Sequence, residues 1–159
     1  MESLYPNAKV ILFKGSSGGA YLGGPFRGVL HTTQSKSYNP STTEYYGHSN
    51  PPHFTLVRRG SSAAVYQHYS IKVAARALRN PYTGADDVQT NRRSAVQIEI
   101  AWLAEEITKM PEFMLVELRE LMRWISSQAS IKRVAPEFLG KSAYGSGSGS
   151  RMSSDEWNS

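Results

Sequence analysis

A chain of 159 residues has room for one domain with a real core, and its lack of cysteine excludes disulfides and thiolate metal sites. No apolar run approaches the ~20 residues that a membrane-spanning helix needs. Residues 1–100 carry 11 basic and 5 acidic side chains against 7 and 8 in residues 101–159, which points to a polyanionic partner for the first part, with solubility as the competing explanation.

The first six residues have neither the basic start nor the apolar core of a signal peptide, so the protein is expected inside the cell when made. Residues 9–14 are an apolar run bounded by Lys9 and Lys14, followed by Gly15-Ser16-Ser17-Gly18-Gly19 and then Ala20-Tyr21-Leu22. This predicts an N-terminal β-hairpin with a glycine-rich turn. The turn lacks the Gly-Lys-Ser/Thr ending of a phosphate loop, and no helical pattern follows it. Residues 27–33 can form another short strand. Residues 34–52 read as a long loop with room for an edge strand near 42–46, and Pro51-Pro52 forces an extended entry into the next strand.

Three β-segments are predicted at 54–59, 66–73 and 93–100. Alternation assigns their faces. Thr55, Val57 and Arg59 oppose Phe54, Leu56 and Arg58; His68, Ser70 and Lys72 oppose Tyr69, Ile71 and Val73; Arg93, Ala95, Gln97 and Glu99 oppose Ser94, Val96, Ile98 and Ile100. Residues 59–64 are a hairpin turn. Residues 79–91, with Asn80, Pro81, Tyr82, Asp86 and Asp87, form a polar projecting loop. A polar connection holding Glu105, Glu106 and Lys109 leads to Pro111, where the spacing changes to a helical one. Met114, Leu118, Leu121 and Ile125 make its stripe to about residue 126, widened by Leu115, Met122 and Trp124, and Pro111 suits the first helical position. A second short helix is predicted at 131–139, broken or kinked at Pro136. The domain is expected to span 1–144, with a flexible Gly/Ser-rich tail at 145–159.

The expected class is α+β. One helix of this length is about 22 Å long and about 10 Å wide. Five strands at about 4.8 Å spacing are as broad as two such helices. A second chain supplying its own helix would cover the rest of the apolar face and protect an exposed sheet edge, so a homodimer is expected.

In this order the segments resemble the coat proteins of the single-stranded RNA bacteriophages, the leviviruses. The likeness lies in Val57-Arg58-Arg59-Gly60-Ser61-Ser62-Ala63, in Tyr69-Ser70-Ile71-Lys72-Val73, and in Arg93-Ser94-Ala95-Val96-Gln97-Ile98-Glu99-Ile100. It extends through the helix to Ala143-Tyr144 and covers roughly residues 8–144. The resemblance implies an N-terminal hairpin, a five-stranded antiparallel sheet and two C-terminal helices. It further implies an intertwined dimer with a ten-stranded sheet, and an icosahedral shell, usually T=3, around the RNA genome; the protein would then reside in the virion. It also implies an operator hairpin bound on the inner sheet face, so that the coat protein represses translation.

Carried over by residue, the RNA face would comprise Thr55, Arg59, His68, Ser70, Lys72, Arg93, Gln97 and Glu99. The loop with Asn80, Pro81, Tyr82, Asp86 and Asp87 would touch neighbouring dimers. Ile98, Ile100, Trp102, Leu118, Leu121, Met122 and Ile125 would form the dimer core. Ala95 stands where one branch has a tyrosine that stacks on a base, a contact of ~1–3 kcal/mol. General phosphate binding does not need that ring.

Lys72, Arg59 and His68 could equally be ordinary solvated sheet residues; their shared face favours RNA. Arg92 and Arg93 are either interior cations of a shell or a loop end. Asp86-Asp87 and Glu105-Glu106 are adjacent, so on a strand they would point apart and make poor catalytic pairs. The histidines His31, His48, His53 and His68 lack metal-ligand spacing. No enzyme, metal or cofactor is expected. The rival to a capsid protein is a non-viral dimeric RNA-binding regulator using the same sheet.

Overall fold

The computed structural model describes residues 3–22, 25, 27–37, 51–77, 93 and 95–129, Arg27 by its backbone only. Five strands, β1 (Ala8–Val10), β2 (Arg27–Thr32), β3 (Phe54–Arg59), β4 (Ser62–Gln67) and β5 (Ala95–Ile100), precede a 3-10 helix, Ala104–Lys109, and the helix α1, Glu112–Ala129. They make one five-stranded sheet in the order β1-β4-β3-β5-β2. The α+β class therefore holds.

The sheet is mixed, which corrects the expected all-antiparallel one. Only β3–β4 is antiparallel; β1–β4, β3–β5 and β2–β5 are parallel. The physical reason lies in the connections. Arg59 pairs with Ser62 across a tight turn in which Gly60 takes φ +62°, and so short a turn can join only antiparallel neighbours. Segment 33–53, from β2 to β3, is long enough to carry the chain back so that both strands run parallel to β5, and β3 and β5 are parallel because β4 reverses the chain between them.

The N-terminal hairpin is also corrected. β1 and β2 lie on opposite edges of the sheet, and residues 20–22 form no strand. Instead Gly18 N–H donates to the Ala74 carbonyl at 2.7 Å, and Ala74 N–H donates to the Gly19 carbonyl at 2.8 Å. Gly19 holds φ +94°, a conformation costly for other residues.

The strand expected at 66–73 begins and ends earlier, at Ser62 and Gln67. Its departure is held by the Gln67 side chain, whose Nε2 donates to the Ser3 and Tyr69 carbonyls, each at 2.8 Å. β5 starts at Ala95 rather than at residue 93. The polar connection around Glu105 is the 3-10 helix, and the Trp102 indole N–H donates to the Glu106 carbonyl at 2.9 Å.

α1 follows the predicted stripe: Met114, Leu118, Leu121 and Ile125 are its buried residues. Pro111 sits one place earlier than expected, with its carbonyl accepting from Met114 and Leu115 N–H. The helix packs on β3 and β4. Its stripe meets Phe54, Leu56, Val65, Val96, Ile98 and Ile100, with Trp102 and Met110 closing one end of the core. Ile98, Ile100, Trp102, Leu118, Leu121 and Ile125 are thus buried, and Met122 partly buried, within a single chain. The second helix at 131–139, the edge strand at 42–46, the loop with Asn80, Pro81, Tyr82, Asp86 and Asp87, and the tail lie outside the described residues. No helix among the described residues is long and apolar enough to cross a membrane.

Candidate nucleic-acid interface

Phe54, Leu56, Ile98 and Ile100 face α1, so the alternate residues of the strands face away from it. Strand register then lines up one row across all five strands: Lys9, Tyr66, Thr55, Glu99 and His31. Arg59 and Val57 continue this face on β3. The predicted co-facial placement of Thr55, Arg59, Gln97 and Glu99 agrees with the register.

Their exposure does not agree with a contact surface. Thr55 and Gln97 are 0 % exposed and His68 is 2 % exposed. They sit under residues 11–22 and 68–76, which cross this end of the sheet. His68 Nδ1 lies 3.2 Å from the Ile11 carbonyl, its Nε2 lies 3.0 Å from Thr55 Oγ1, and Gln97 Nε2 donates to the Ala75 carbonyl at 3.3 Å. These three residues are removed from any RNA contact in this structure, because strand alternation says which way a side chain points and not what lies above it. Ala95 is buried as well, so that position cannot receive a base.

Ser70 and Lys72 lie beyond the end of β4. They belong to a turn in which Ser70 Oγ accepts from Lys72 N–H at 3.2 Å, and Lys72 is exposed there. Arg93 precedes β5, half-buried, and its Nε donates to the Ala20 carbonyl at 2.9 Å. Glu99 is half-buried between Thr55 and His31 in the row, where its carboxylate opposes a phosphate. Of the eight expected contacts, only Arg59 is both on this face and exposed.

Arg59 has company that sequence reasoning missed. Its Nη2 donates to Tyr66 Oη at 3.0 Å, and its guanidinium lies 5.6 Å from the Tyr66 ring centre. Lys9 Nζ lies 5.9 Å from the same centre. Tyr66 is 4 % exposed, and its ring meets two exposed cations carried by the strands on either side of β4. Such contacts hold a cation in place by about 0.5–1 kcal/mol each at exposed sites. Neither Lys9 nor Arg59 has an ion-pair partner among the described residues; the ion pairs there join Lys36 to Glu106, Arg119 to Glu112 and Arg123 to Glu120. Lys9 and Arg59 are each an unneutralised, pre-positioned cation able to contact a phosphate. Tyr66 has the same parity as His68, which was a usable signal; the pairing of β1 with β4 that brings Lys9 was not one. Arg58 is exposed on the other face, over the Phe113 ring at 5.7 Å.

The same face holds two buried histidines, His53 at 0 % and His68 at 2 % exposure. His53 Nδ1 accepts the Gln97 backbone N–H at 3.0 Å, so the ring hydrogen is on Nε2. That N–H faces the Val73 carbonyl at 2.8 Å and Tyr21 Oη at 2.9 Å. His68 takes the opposite tautomer. Its Nδ1–H faces the Ile11 carbonyl, and its Nε2 accepts the Thr55 hydroxyl. Burial lowers both pKa values to about 4. The Thr55–His68 pair has the composition of a nucleophile and base, with Thr55 fully buried. No group of His, Asp or Glu among the described residues can hold a metal.

Comparison of the chain with models of protein families and with curated proteins finds no match.

Proposed function

We propose that this chain is a capsid protein of the RNA-phage coat type, whose shell packages single-stranded RNA. The observation that carries the reading is the pair of unneutralised cations, Lys9 and Arg59, held over Tyr66 on the face opposite α1. The ordered sequence resemblance from residue 57 to 100 supports it, as does a sheet that carries α1 on one face. In this reading two copies join as an intertwined dimer with a ten-stranded sheet, and dimers close an icosahedral, T=3 shell in the virion. Leu4, Val10 and Leu12, exposed by 41 %, 44 % and 52 % at and near the β1 edge, are apolar surface that such an assembly would cover. RNA is held chiefly through its phosphates, with little sequence preference. An operator hairpin bound on the same face would make the protein a translational repressor too.

The parallel strand pairs favour the second reading, a non-viral dimeric RNA-binding regulator, because they depart from the antiparallel sheet that the coat resemblance implies. Expression followed by electron microscopy separates the two. Closed shells containing RNA are expected, and discrete dimers alone would sink the capsid reading.

The phosphate site has its own test. Lys9→Ala with Arg59→Ala should flatten the slope of log affinity against log salt for single-stranded RNA by about 1.4, two contacts at about 0.7 each. Lys72→Ala, off the sheet, serves as the comparison. An unchanged slope in the double variant would remove Lys9 and Arg59 from the interface.

A further inference from the structure

Residues 11–22 cross the polar end of the sheet as a strap with three glycines, Gly15, Gly18 and Gly19. Its apolar burial is partial: Ile11 packs half-buried against Val57 and Tyr66 and Phe13 meets Tyr69 edge-on at 5.8 Å, while Leu12 and Leu22 are 52 % and 60 % exposed. Hydrogen bonds supply its other ties. Phe13 N–H donates to the His68 carbonyl at 2.9 Å, Gly18 pairs with Ala74, and Leu22 N–H donates to the Arg93 carbonyl at 3.0 Å. Tyr69 Oη donates to the Ser16 carbonyl at 3.2 Å. A segment held this way opens at lower free energy than a core helix.

Two of its ties run to the histidine rings, Ile11 to His68 and Tyr21 to His53. The two rings respond differently to a proton. His68 tolerates one with its partners in place, because the Thr55 hydroxyl can turn and accept. His53 does not: a proton on Nδ1 faces the Gln97 N–H, donor against donor. The new charge also needs water. Phe54, Tyr69 and Tyr21 pack around the ring, each with 6.4 Å between centres, and Tyr21 is the one that belongs to residues 11–22.

The groups around the pair add to the effect. His68 and His53 repel each other once charged. Arg93 and Arg76, which bind the strap at the Ala20 carbonyl and at Ser16 Oγ, are cations. Tyr21 and Tyr69 bring neutral hydroxyls, and Gln97 a neutral amide. Glu99, in the adjacent row, is the carboxylate on this face.

We propose that residues 11–22 are an acid-released strap, latched by His53 through Tyr21, that lifts from the polar face while α1 and its core stay closed. Opening uncovers His68 on its Ile11 side and His53 on its Tyr21 side, which changes the charge of the face. The inference does not rest on the RNA reading, and its test contains no nucleic acid.

Hydrogen exchange on the full chain, corrected for intrinsic rates, reads it directly. Protection at Phe13, Gly18 and Leu22 should fall at least tenfold between pH 6.5 and 4.5 while α1 keeps its protection. The midpoint should coincide with the His53 titration followed by NMR. Loss of strap and helix together, an unmoved strap, or a midpoint apart from His53 would each overturn the proposal. Tyr21→Phe removes one tie and leaves the rings, so it should lower strap protection already at pH 7. Unchanged strap protection in that variant would also count against the latch.

Discussion

Replacing Phe54 with alanine is expected to cost about 3–5 kcal/mol of folding stability. Phe54 is fully buried on β3, a central strand flanked by β4 and β5. Its ring meets Trp124 of α1 edge-on, 6.2 Å between centres, and lies 6.4 Å from the His53 ring on its other side. Its register partners are Gln67 and Ile98. Removing the ring takes away its own transfer energy and leaves a hole walled by helix and sheet, which cannot both move in to fill it. A domain of this kind has about 5–15 kcal/mol in total, so the variant should stand near the edge of unfolding. Urea titration followed by tryptophan fluorescence checks this, with Val116→Ala, 44 % exposed on α1, expected within about 0.5 kcal/mol of the parent. A loss below about 1 kcal/mol for Phe54→Ala would mean that helix and sheet do not pack as described.

Acidification is expected to cost a comparable amount without touching the core. His53 and His68 have folded pKa values of about 4 against 6.5 in the unfolded chain, because burial disfavours their charged forms. Between those values the unfolded state binds protons that the folded state refuses. The stabilisation is therefore complete above pH 6.5 and is lost progressively as the pH falls towards 4. Each ring contributes about 3 kcal/mol over that window. His31 acts in the same direction: burial lowers its pKa to about 4, and its buried Nε2 has no partner among the described residues. The Lys36–Glu106 pair responds lower on the scale, since the hydrogen bond from Lys36 holds the Glu106 carboxyl below its ordinary range. Urea midpoints at pH 7, 5.5 and 4.5 should fall in step. A flat profile from 7 to 5 would mean that the imidazoles are solvated or charged in the folded protein.

Much of the local structure was legible in the residues. The Met114, Leu118, Leu121, Ile125 spacing named the buried stripe of α1, and alternation on 54–59 separated Phe54 and Leu56 from Thr55 and Arg59 correctly. Tyr69 and Ile71 misled, because both are buried and β-prone yet lie past the end of β4, where the chain has already turned away. The candidate site was legible only at Arg59. Lys9 reaches it through a strand partner, Tyr66, 57 positions along the chain.

The sequence by itself determined the periodicities: which residues share a face, where the tight turn at Gly60 reverses the chain, and which helical stripe is apolar. These depend on neighbours within a few positions and on the fixed geometry of strand and helix. The tertiary structure alone decided that β1, β2 and β5 run parallel to their neighbours and that residues 11–22 and 68–76 cover Thr55, His68 and Gln97. It also brought Lys9 and Arg59 together over one ring. Each of these is a pairing between distant segments joined by long connections, and alternation along one strand carries no information about which distant segment lies above it.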